Sequence, residues 1–176
     1  MRKLFALAAV LPVASFLCGA AAAQTSPDGA KLYQRCAACH LPNGAGVPGA
    51  FPALAGRVNA VAQHAPGRDY LVMAVTAGVM GEIDIDGAKI RGFMPAQAGL
   101  GDADVAAILN YAADLPASGA AAGAPAGDFT AEEVASIRAR YKGATPNSVH
   151  AIRTAAMSLD GHEPMPENVS GDGSEK

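Results

Sequence analysis

The run Cys36-Ala37-Ala38-Cys39-His40 constrains this 176-residue chain more than any other stretch. A C-x-x-C-H run is the attachment signature of a c-type haem. Two cysteines three apart on one helical turn point the same way, so both thiols can add across the vinyl groups on one porphyrin edge. The adjacent histidine then falls close enough to ligate the iron. A structural zinc site calls for two more Cys or His at paired spacing, and none follows. A thioredoxin-like redox pair sits at the end of a strand in a βαβ pattern, and no such pattern surrounds these residues.

Beyond His40 the chain passes through a small-residue loop to Pro52-Ala53-Leu54-Ala55-Gly56, and Gly92-Phe93-Met94-Pro95 comes further on. Together with the C-x-x-C-H run, these segments resemble the class I cytochromes c over roughly residues 26 to 115. The resemblance implies an all-α, class I cytochrome c fold around one covalently attached haem c, with thioethers at Cys36 and Cys39 and iron ligation by His40. It also implies that Pro52, twelve residues after His40, turns its carbonyl toward the other ring nitrogen of the ligand, fixing the tautomer and raising donor strength. Without the family, Pro52 is only a turn residue.

Met94 lies where glycine and proline prevent regular helix, and the resemblance makes it the sixth iron ligand. A thioether is a neutral, soft donor that favours ferrous iron relative to a second imidazole. The other reading is a buried loop methionine. His64, the competing histidine, stands in Gln63-His64-Ala65-Pro66-Gly67, a surface turn that suits a solvated side chain.

The first 23 residues read as a secretory signal: Arg2 and Lys3, an apolar run from Leu4 to Leu17, and the small residues Ala21-Ala22-Ala23. The apolar run is too short to span a bilayer comfortably, and no transmembrane segment is expected in the mature chain. Phe16 and Leu17 before Cys18 do not suit a lipoprotein anchor, so Cys18 is read as discarded. That leaves Cys36 and Cys39 as the only mature cysteines, which fits haem attachment in the periplasm. Removing the signal takes 13 basic residues to 11 against 16 acidic ones, so formal charge moves from −3 to −5. Such a balance argues against nucleic acid and for redox partner proteins with a basic docking patch.

Along the chain, Thr25-Ser26-Pro27-Asp28-Gly29 reads as the start of a helix running to Cys39. Gly29 is either a loose first-turn residue or, by resemblance, the point where the last helix of the domain crosses closely. A second helix is expected over 68–79, with Met73 and Met80 as core filler. A third begins after Gly101-Asp102-Ala103-Asp104, with Val105, Ile108, Leu109 and Ala112 on its apolar face, and stops at Pro116. In the family its Tyr111 packs near the first helix. The cytochrome domain thus covers 24–116. An Ala/Gly/Pro-rich linker is expected over 117–127, a two-helix extension over 128–157 and an acidic, disordered tail over 158–176. The two helices are too small to hold a core of their own, so they pack back on the domain or dock on a partner.

These features describe a one-electron carrier that receives electrons from a dehydrogenase and passes them to a cytochrome or oxidase, with residues 128–157 as a docking arm. The sequence shows no carboxylate pair or Ser/His arrangement for separate catalysis. The alternative is a haem enzyme or gas sensor with an open sixth coordination site, in which Met94 is merely structural.

Overall fold

The computed structural model describes residues 27–85, 88–116 and 124–158. The signal segment with Cys18, residues 117–123 of the linker and the tail from 159 onward lie outside the described residues. The elements run α1 Gly29–His40, α2 Arg57–Val61, α3 Ala65–Ala77, β1 Val79–Ile85, β2 Ala88–Met94, α4 Asp102–Ala113, α5 Ala131–Arg140 and α6 Pro146–Met157.

Helix α1 is capped by Asp28, its carboxylate accepting from the Lys31 amide at 3.1 Å. It crosses α4 at Gly29, where any Cβ would run into the Ala107 carbonyl oxygen. The close-crossing reading of Gly29 therefore holds, and it brings Tyr33 against Tyr111 with ring centroids 5.1 Å apart. Helix α4 begins where expected, with the Gly101 amide donating to Asp104 Oδ2.

The second expected helix is shifted. Helix α3 starts at Ala65, with proline in its first turn, and stops at Ala77 because Gly78 turns the chain at φ 81°. From Val79 the chain forms a hairpin that the helical reading did not include. Strand β1 pairs antiparallel with β2 in the register Val79↔Met94, Gly81↔Gly92 and Ile83↔Ile90. Val79, Ile83 and Ile90 are buried, so this face of the hairpin looks into the core. Met73 is core filler, as expected, but Met80 is not: it lies on the outer face of β1 and is 43 % exposed.

The extension packs back. Helix α5 lies on α3 and α4, and α6 lies on α3 and β1. Val134, Ile137, Val149 and Ile152 are buried and join the same core as Tyr33, Val72 and Val105. Their apolar stripes are therefore occupied by the domain itself, the first of the two arrangements expected of 128–157. Residues 124–127 also differ from a free linker. Asn59 accepts from the Ala126 amide and donates to the Ala124 carbonyl, while Asn110 bonds both backbone groups of Phe129. Arg68 completes the seam through a paired contact with Glu133 at 2.6 Å and a guanidinium 3.8 Å above the Phe129 ring.

Candidate haem site

Cys36, Cys39 and His40 occupy the last turn of α1. Both cysteines are partly exposed, three residues apart on one helical face. Burial pushes the Cys36 thiol above its ordinary value. The helix breaks immediately after His40, at Leu41, a non-glycine residue held at φ 65°. Three bonds secure this break: Leu41 N–H to the Ala37 carbonyl, Gly46 N–H to the His40 carbonyl at 2.9 Å, and the Tyr33 hydroxyl to the Leu41 carbonyl at 3.2 Å. Burial of Tyr33 raises its phenol to about 12, so it remains a donor at any ordinary pH.

The loop from Leu41 to Gly56 then folds back on the histidine. Gly44 and Gly46 both adopt positive φ, and a Cβ at Gly46 would meet the Pro52 carbonyl at 2.6 Å. That close turn delivers the Pro52 carbonyl oxygen to 2.8 Å from His40 Nδ1. Nδ1 therefore carries the proton and donates it, and Nε2 is left with its lone pair. Nε2 makes no hydrogen bond among the described residues. Burial lowers the basicity of the ring, partly opposed by the Pro52 bond, and keeps the imidazole neutral.

Met94 is the last residue of β2, not part of a loop; the irregular segment begins at Pro95. Its partner Val79 follows Gly78, whose bare α-carbon lets the end of α3 approach, since a Cβ there would lie 2.5 Å from the Met94 carbonyl oxygen. After Met94, the Gln97 amide returns to the Val75 carbonyl of α3 at 2.8 Å. Met94 is half-buried on the margin of the same core that Cys36, Ala37, Leu54 and Ala55 border. His64 is exposed at the start of α3, as expected of a solvated side chain.

The residues present fit a haem. A neutral imidazole offers a free ring nitrogen beside two thiols at the attachment spacing. Leu41, Val47 and Phe51 stay exposed on the loop after it, presenting apolar surface of the kind a macrocycle covers. Gly78 and Gly46, which position the two sides, carry no sequence signal for those roles beyond being glycines in segments that have to turn.

Residues 26–116 match the family model described as Cytochrome c. A cytochrome c-552 of Thermus thermophilus (strain ATCC 27634) is 43 % identical over 141 residues, covering 79 % of this chain and 92 % of that protein. Another cytochrome c-552 of Thermus thermophilus is 45 % identical over 128 residues, covering 72 % and 94 % respectively. Both stretches are longer than residues 26–116, and the first is too long to end before the extension.

Proposed function

The chain belongs to the cytochrome c family, and we propose that it serves as a periplasmic one-electron carrier in which His40 and Met94 would hold the iron of a single haem. Membership makes it an electron-carrying haem protein with haem c bound covalently, for which Cys36 and Cys39 have the attachment spacing. When bound, the haem would supply one-electron redox chemistry at its iron.

The chain's own residues set the conditions for that cycle. The observation that carries the proposal is the bond from His40 Nδ1 to the Pro52 carbonyl at 2.8 Å, which orients the ring and leaves Nε2 as the donor. Its hydrogen bond raises the electron donation of the imidazole. Met94, held on the core face of β2, offers a soft thioether, which favours the reduced state. The apolar surroundings lower the local dielectric, and two ligands that suit both oxidation states keep reorganisation small. The donor in this reading is an exported dehydrogenase and the acceptor a cytochrome or oxidase of a respiratory chain. The acidic mature chain suits partners with basic docking patches.

Carbon monoxide tests the closed coordination sphere. The reduced native protein should bind it slowly or not at all, whereas Met94→Ala should take it up on mixing. Rapid uptake by the native protein would contradict the proposal and favour an open-site enzyme or sensor.

A further inference from the structure

The hairpin that ends in Met94 has two strands, and an isolated two-stranded hairpin is marginal in water. Something else must hold it. Glu82 and Asp84 alternate with Gly81 and Ile83 along β1, so their carbonyls lie on one edge of the strand. His150 and Arg153, three apart on α6, reach that edge together. The His150 Nε2 lies 2.7 Å from the Glu82 carbonyl oxygen, and Arg153 Nη2 donates to the Asp84 carbonyl at 2.9 Å. The imidazole also fills the space over Gly81, where a Cβ would meet His150 Cδ2 at 2.7 Å. Gly81 lies two residues along β1 from Val79, the register partner of Met94.

Resting on the reading of Met94 as an iron ligand, we infer that His150 is a positioning residue for the Met94 thioether: from the C-terminal extension it holds the free edge of β1 and thereby fixes the strand that carries the ligand. Its Nε2–H acts as donor to the Glu82 carbonyl, a role that the neutral tautomer and the imidazolium both fill. The extension is therefore part of the ligand-holding apparatus and not only a cover for the core. Arg153 assists from one helical turn further on.

The test measures how fast added imidazole displaces the native sixth ligand in the oxidised haem protein, together with the far-red band of the methionine–ferric bond. His150→Ala should weaken that band and speed displacement by about tenfold, the scale on which residues behind a metal ligand act. His150→Gln, which keeps an N–H donor near the Nε2 position, should recover most of the native rate. Gly81→Ala, which pushes the imidazole away from the strand side, should reproduce the His150→Ala effect. Ile137→Ala serves as the comparator: it lowers the melting temperature through α5, which packs on α3 and α4, and should leave the displacement rate unchanged. A native band with equal displacement rates in native and His150→Ala proteins would overturn the inference while leaving Met94 as ligand. A displacement rate that tracks melting temperature across all four variants would also overturn it, since the effect would then be general loosening. A native protein without the band removes the Met94 reading itself and the inference with it.

Discussion

His40 is tied to Pro52, 12 residues along the chain, whereas the strand leading to Met94 is tied to His150 and Arg153 across separations of 68 and 69 residues. The histidine side is thus assembled from one contiguous stretch, α1 and the loop after it. The methionine side depends on a segment that arrives last in the chain. Local assembly needs only turn chemistry: four positive-φ glycines, Leu41 at positive φ and a few backbone bonds. Remote support needs the extension to find its place on α3, α4 and β1 first. The first arrangement should therefore withstand loss of the C-terminal region, and the second should not.

Variants that strike one side and spare the other can break or sharpen this contrast. The largest effect comes from removing attachment: Cys36→Ser with Cys39→Ser should abolish covalent haem, so that acidified acetone extracts all of it, whereas the native protein retains it. Next is the remote support. Ile152→Ala empties a fully packed position on α6 and should cost about 2–5 kcal/mol in denaturant unfolding. It should loosen the methionine bond before it affects the histidine. Loss of both ligands at one denaturant concentration would erase the distinction.

On the local side, Gly46→Ala places a Cβ against the Phe51 and Pro52 carbonyls at a φ of 65° and should cost about 1–3 kcal/mol. Because the Pro52 carbonyl must then move off His40, imidazole donation falls and the redox potential should rise. A potentiometric titration checks the sign, and an unchanged potential would mean that the Pro52 bond has no electronic role. The smallest effect is electrostatic. Arg68 holds the Glu133 carboxyl below its ordinary value, so the pair's contribution is full above the ordinary carboxylate range and is lost as pH falls through the depressed folded value. Thermal melts from neutral to acidic pH should therefore decline less steeply for Glu133→Gln than for the native chain. Parallel slopes would count against any coupling of that seam to pH.

The contrast also explains what can be read from the sequence. Cys36, Cys39, His40 and the interval to Pro52 are contiguous, and the spacing alone carries their arrangement. Helix α4 is legible through Asp102, Asp104 and a clear apolar stripe. The hairpin has a signal that a helical reading passes over: Asp86-Gly87, a dipeptide typical of two-residue hairpin turns, follows Ile83-Asp84-Ile85 and precedes Ala88-Lys89-Ile90. Met80 is misplaced for the same reason, since helical spacing puts it inward and strand alternation puts it out. The stripe of Val134, Ile137, Val149 and Ile152 says that α5 and α6 must be covered, and no periodicity states by what. His150 is invisible in the sequence because its partner is a backbone carbonyl, which any residue at position 82 would provide.

The most direct test of the central claim is the absorption spectrum of the mature oxidised protein beside Met94→Ala. The account predicts a weak far-red methionine–ferric band in the native protein that is lost in the variant, with covalent haem intact in both. A native spectrum without that band, or a band that survives the substitution, would contradict ligation by His40 and Met94.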